Sequence, residues 1–328
     1  MDAANRLMEC RGPEGVELPL SAAQRAIWVD LQLSPARAPF YNNTAYVEIA
    51  GDLDTHVLEA AVRHAVANSA ALRARFVGGE REIRQVIRSC VEFPIDHCDF
   101  STSPAAHEAA LEWMNERRRR CFDPLGERLL AFGVLRLSAQ KMYLYCHFHH
   151  LLLDGIGIKL FMERTANAYT ALIRGHELEK HDDLPLLAAY IANDAAYAAS
   201  EQYAADSAFW ASQRTAPTSL SVHRRTSAPS GTTLQTPALY LPRELAQGLA
   251  QLAERLQLAI PQLLIAAVTL YLFRAIGRDR ISIGLPTHGR VESWMRPLLG
   301  MCSNVLPISL DLDRGLPAIE CLLSVHKQ

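Results

Sequence analysis

From Met142 to His149 the chain reads Met-Tyr-Leu-Tyr-Cys-His-Phe-His, an alternation of period two that predicts a strand. His150, three leucines and Asp154-Gly155 follow, and then the period changes. Over Ile156–Ile173, Leu160, Phe161, Ala168 and Leu172 fall on one helical face, with Gly175 placed as the C-cap. The pattern is strand, tight loop, helix. His150 stands where the loop can aim an imidazole into a cleft, and Asp154, four residues on, can turn back to fix the loop.

The other elements follow from the same periods. Ser21 with Gln24 three residues later predicts a capping box, opening a helix that packs Ile27 and Trp28 inward. Thr44–Ile49 reads as a strand, and Gly51–Asp54 starts a helix with Val57, Leu58, Ala61, Val62 and Ala65 at helical spacing. Ala71–Phe76 and Glu82–Ile87 read as strands joined at Gly78-Gly79, and residues 103–121 as a helix. Leu129–Leu137 pairs naturally with Met142–His149. Residues 186–214 are helical, 215–237 form a Ser/Thr/Pro-rich loop, Leu239–Leu241 is a short strand, Pro242–Leu258 and Pro261–Gly277 are helices, and Ile281–Leu285 is a strand. Leu256–Phe273 carries no charge over a length close to a membrane span. Pro261 suits the first turn of a new helix, so a buried core helix is expected there.

With 328 residues the chain can build two domains or lobes. A net charge of −2 and a pI near 6.6 give no electrostatic case for nucleic acid or an anionic membrane. The seven scattered cysteines form no C-x-x-C pair, which suits free thiols in a reducing cytoplasm, and the N-terminus shows no signal-peptide pattern. Arg117–Arg120 reads as a solvated last helical turn suited to the helix dipole. His176, His181, Asp182 and Asp183 lack metal-ligand spacing, so residues 176–185 read as a solvated linker and no metal is expected.

The constellation His149-His150-x-x-x-Asp154-Gly155 resembles the His-His-x-x-x-Asp-Gly motif of the condensation domains of non-ribosomal peptide synthetases, which are chloramphenicol-acetyltransferase-like acyltransferases. Other segments extend the resemblance: the Ser21/Gln24 helix ending in Ile27-Trp28; Leu72-Arg73-Ala74-Arg75-Phe76, with Ala74 in place of the usual Thr; and Phe122-Asp123-Pro124-Leu125-Gly126, with altered glycine spacing. Gly284–Arg290 is similar to Gly-x-Pro-x-x-Gly-Arg, Gly300–Pro307 to Gly-x-x-x-Asn-x-x-Pro, and Tyr190, Asp194 and Tyr197 loosely to a fourth motif.

The resemblance implies an α/β (α+β) fold of two such lobes in a V-shaped pseudo-dimer, divided as 1–178 and 179–328. It implies amide formation, in which the amine of an acceptor aminoacyl thioester attacks a donor acyl thioester, both on phosphopantetheine arms of peptidyl or aryl carrier proteins. His150 is then the catalytic residue, accepting a proton or holding the amine in line. Asp154 orients the loop and pairs with Arg290 across the lobes, while Gly155 offers an N–H to an oxyanion. His149 is structural, and Asn304 binds substrate or bridges the lobes. No cofactor is expected on the chain itself. An adenylation domain is a further candidate partner, and siderophore synthesis a candidate setting. Because the sequence stops at Gln328, the second lobe is expected to be incomplete; because it starts directly with this domain, the donor carrier is expected on another polypeptide. The alternatives are an epimerisation-type or coenzyme A-dependent acyltransferase, and an inactive carrier-docking remnant.

Overall fold

The computed structural model describes residues 11–12, 15–79, 82–178, 182–213, 240–277, 279–312, 315 and 319–320. In chain order the elements are β1 (Arg11–Gly12), β2 (Gly15–Pro19), α1 (Ala22–Leu33), β3 (Asn42–Ala50), α2 (Thr55–Ala67), β4 (Ala74–Gly78), β5 (Ile83–Ile87), β6 (Ile95–Asp99), α3 (Ala106–Arg118), β7 (Leu130–Ser138), β8 (Lys141–His149), α4 (Gly155–Ile173), α5 (Leu184–Ala198), α6 (Glu201–Ser212), α7 (Arg243–Leu256), α8 (Ile260–Ile276), β9 (Arg280–Thr287) and β10 (Asn304–Asp311). The predicted loop over 215–237 and Leu239 lie outside the described residues. Tyr240 and Leu241 are described and form no strand, while β10 is a strand the alternation did not reveal.

The described residues group into two compact units. One takes the chain up to Phe209 together with His288–Ser303; the other takes Trp210 through Thr287 and the residues from Asn304 on. The first unit therefore does not stop at residue 178. Its core includes Leu184, Leu187, Ala188, Tyr190 and Ile191 of α5, and Met295, Leu298 and Leu299 of the returning segment.

In the first unit, β3-β8-β7-β6 form one sheet, with β8 central and antiparallel to both β3 and β7, and β6 parallel to β7. β8 is covered on both faces, so its buried run is continuous from Met142 to His149. Met142, Leu144, Cys146 and Phe148 join the main core, while Tyr143 and Tyr145 pack against Ala110 and Met114 of α3. β1-β2-β5-β4 make a second sheet, in which β4 begins at Ala74 because residues 71–73 form a 3-10 turn.

The helix ends expected at Ser21 and Gly175 form, and the helix expected from Gly51–Asp54 is capped by Asp54. Ser21 and Gln24 close a capping box on α1, and Asp54 accepts from His56 and Val57 at the start of α2. Gly175 takes a φ of 70° just beyond α4.

Residues 182–183 correct the reading of a solvated linker. Asp183 is buried, accepts from the Ala70 N–H, and pairs with Arg164 at 2.8 Å, while Asp182 pairs with Arg73 at 2.6 Å. A carboxylate at the start of α5 thereby meets two donors from elements distant in sequence. His181 lies outside the described residues. Among those described, no group of three or more potential metal ligands occurs.

In the second unit β9 and β10 pair antiparallel, with Asn304 opposite Thr287. α7 ends at Leu256 with Gln257 in the left-handed region, φ 55°, and α8 begins at Ile260. The two helices meet at 101°, and no single described helix is long and apolar enough to cross a membrane. α8 is not the buried helix expected from its composition. Leu263, Ala266 and Thr269 are buried, while Ile260, Leu264, Val268 and Tyr271 are exposed.

Candidate functional site

β8 delivers the histidine pair because its partner strand ends beside it. Asn42 opposes His149, and one residue further the His150 N–H donates to the Tyr41 carbonyl at 2.7 Å. The chain then turns, with the Leu152 N–H donating to the His149 carbonyl at 2.9 Å. His149 is 1% exposed, and its Nδ1 accepts from the Leu151 N–H at 3.1 Å. Its Nε2 has no partner among the described residues, and its ring stacks on Tyr41 at 6.5 Å. Burial, reinforced by the neighbouring His150 and His147, pushes its pKa down to about 3. His149 is thus a neutral part of the interior.

His150 faces otherwise and is partly exposed. Its Nδ1 lies 2.9 Å from the Leu153 carbonyl oxygen. A carbonyl only accepts, so Nδ1 carries the proton and, in the neutral ring, Nε2 keeps its lone pair. The loop that bears the imidazole therefore also selects its tautomer.

Asp154 is 1% exposed and meets Arg290, itself 2% exposed, in a two-pronged pair: Nη1 to Oδ2 at 2.7 Å and Nη2 to Oδ1 at 3.1 Å. Oδ1 also accepts from the Gly157 N–H at 2.7 Å, capping α4, and Oδ2 accepts from the Cys302 and Ser303 N–H groups at 3.0 Å each. Arg290 spends its remaining donors on the carbonyls of His288, Leu298 and Gly300. Both Asp154 oxygens are thus occupied by donors from Gly157, Arg290, Cys302 and Ser303, with no solvent access. Arg290 was expected to reach across the lobes. It lies in His288–Ser303, which packs within the same compact unit as Asp154.

Gly155, the first residue of α4, is exposed, and a side chain built on it would meet nothing within 4 Å. The crowded glycines are others. A Cβ on Gly157 would stand 3.1 Å from the Gly300 carbonyl, and one on Gly289, whose φ is 64°, would stand 1.9 Å from the Cys302 carbonyl. Asn304 opens β10 in the second unit, is exposed, and accepts with Oδ1 from the Val305 N–H at 2.8 Å.

Further residues hold the loop without having been singled out for it. The Gln24 amide donates to the Leu151 carbonyl at 3.0 Å and pairs reciprocally with the buried Gln85 amide. The Asp194 carboxylate accepts from the Ala22 N–H at 2.7 Å, tying α5 to the start of α1. Asn43 donates to the Leu153 carbonyl at 3.4 Å. Cys302 sits beside Asp154, but burial pushes its thiol up to about 12, so it is not a thiolate nucleophile.

Known proteins resemble this chain along most of its length. A family model described as Condensation domain matches residues 15–328. Dimodular nonribosomal peptide synthase of Bacillus subtilis is 29% identical over 94% of this chain and 13% of its own length. Enterobactin synthase component F of Escherichia coli is 29% identical over 94% of this chain and 24% of its own length. The first condensation domain of the calcium-dependent antibiotic synthetase, solved with a substrate analogue, superposes with a TM-score of 0.82 at 28% identity, covering 95% of this chain and 74% of that one. The chain thus spans about an eighth to a quarter of the curated relatives named here, and the motif, the mixed α/β fold and these matches together place it in the condensation-domain family of non-ribosomal peptide synthetases.

Proposed function

We propose that the chain catalyses amide-bond formation between a donor acyl or peptidyl thioester and the amine of an acceptor aminoacyl thioester, each on the phosphopantetheine arm of a carrier protein. The observation that carries this reading is His150: its Nδ1–H is fixed on the Leu153 carbonyl, so Nε2 is the basic nitrogen at the rim of the loop. The acceptor nitrogen attacks the thioester carbonyl carbon, the C–N bond forms, the C–S bond breaks, and the proton lost from nitrogen ends on the departing thiol. His150 Nε2 accepts an N–H of the attacking amine, keeping the nitrogen lone pair on the thioester and neutralising positive charge as it develops.

The thioester is already activated, so the step calls for no nucleotide, metal or cofactor held by the chain. Asp154 and Arg290 keep the loop in place, the exposed Gly155 N–H is available to oxygen at the carbonyl under attack, and Asn304 contacts substrate. The partners are carrier proteins, with an adenylation domain in the same assembly line, in the cytoplasm, away from nucleic acid and membrane. The likeness to enterobactin synthase component F supports siderophore synthesis as the setting.

The test is single-turnover amide formation from an acyl-loaded donor carrier and an aminoacyl-loaded acceptor carrier, with acyl-coenzyme A as an alternative donor. His150→Ala should lower the rate by about 10²–10⁴-fold with an unchanged circular dichroism spectrum. Undiminished turnover in that variant would refute the reading, and product from acyl-coenzyme A alone would move it to the related acyltransferase class.

A further inference from the structure

We propose that Asn43 is a positioning residue that sets the tautomer of His150 by holding the Leu153 carbonyl. The inference rests on His150 being the reactive group, as above. Among the described residues, the Leu153 oxygen receives two side-chain donors: His150 Nδ1–H at 2.9 Å and Asn43 Nδ2 at 3.4 Å. A carbonyl oxygen has two lone pairs, so the two donors saturate it and fix its direction. Asn43 comes from β3, where it opposes Phe148 of β8, so its backbone is set by the strand ladder and not by the loop.

The rest of the loop is fixed around that oxygen but does not bond it. Gln24 holds Leu151, Tyr41 holds the His150 N–H, and Asp154 is held by Arg290 and by the Cys302 and Ser303 amides. Leu153 itself has no exposed side chain, and a methyl group on Gly157 would stand 3.1 Å from its Cδ2. Asn43 is therefore the one side chain besides His150 itself, among the described residues, that steers the Leu153 carbonyl. Without its donor, the oxygen can relax away from Nδ1, and the imidazole can place its proton on Nε2, where it no longer accepts from an amine. The Asn43 amide orientation is fixed by the same logic, since only its NH2 side can face a carbonyl.

The experiment combines ¹⁵N NMR of the histidine ring nitrogens with single-turnover kinetics on the full chain, using Asn43→Leu, close in size but unable to donate, and Asn43→Asp, close in size and offering only acceptors. His150→Ala assigns the His150 signals. The expected result is a protonated Nδ1 in the wild type, a shift of the His150 population towards protonated Nε2 in both variants, and a rate reduced about five- to tenfold, the equivalent of one neutral hydrogen bond. An Asn43→Leu protein that folds, keeps Nδ1 protonated and turns over at the wild-type rate would overturn the proposal. The NMR signature reads the tautomer with no substrate present, so a wild type that makes no amide would count against the function and leave the role of Asn43 decided by the spectrum.

Discussion

β8 and β10 each bear a residue of a family motif, and they hold it in opposite ways. β8 is buried from Met142 to His149, lies between two partner strands, and feeds a loop whose carboxylate accepts five hydrogen bonds from four residues. β10 pairs with β9 alone among the described residues, and Asn304 to Pro307 are exposed. The His150 imidazole is thus set by an interior that cannot shift without breaking buried contacts. Asn304 stands exposed at the end of a two-stranded ladder.

The sharpest way to break this contrast is Asp154→Ala. It leaves Arg290 charged, buried and unpaired, and should cost about 3–5 kcal/mol, read as a lowered midpoint in urea unfolding. Next is acidity. His147 and His149 are neutral in the fold because burial lowers their pKa to about 4 and about 3, yet each takes a proton near pH 6.5 once unfolded. The unfolded chain binds more protons below pH 6.5, so stability falls as pH drops from 6.5 towards 4 and 3. At pH 5 each histidine should remove about 2 kcal/mol relative to pH 7.5, measured by urea titrations at the two pH values. Gly289→Ala comes next, because it forces a side chain onto the Cys302 carbonyl at a positive φ, and should cost about 1–3 kcal/mol by thermal unfolding. At the far end, Val305→Thr on the exposed face of β10 should stay within about 0.5 kcal/mol of wild type. A large loss there would mean that the second unit is held as tightly as the first.

What could be read in advance follows the range of the interaction. The alternation of Met142–His149, the helix after Asp154, the cap at Ser21 and the helix start at Gly51–Asp54 are local, and they form within a residue or two of their predicted places. The place of His150, just beyond the strand's end, was legible because it too is local. Arg290 came from the resemblance alone, and its home in the first unit was not visible, because the chain leaves that unit and returns to it. Asn43 fell just outside the expected strand at Thr44, and its role depends on a carbonyl 110 residues away. Asp183 looked solvated because its neighbours in sequence are polar; its neighbours in space, Arg164 and Ala70, are what bury it. The apolar composition of α8 promised burial, but composition does not say how many sides of a helix are covered.

Arg290 follows Asp154 by 136 residues. On a ribosome adding about 5–20 residues per second, that separation is about 7–27 s of synthesis. During that interval the new strand and helix can form, but the carboxylate between them has neither its guanidinium nor the Cys302 and Ser303 amides, and α4 offers it only the Gly157 N–H. The nascent chain thus carries its histidine pair well before it can lock the turn beside it, and that turn is among the last parts of the first unit to set.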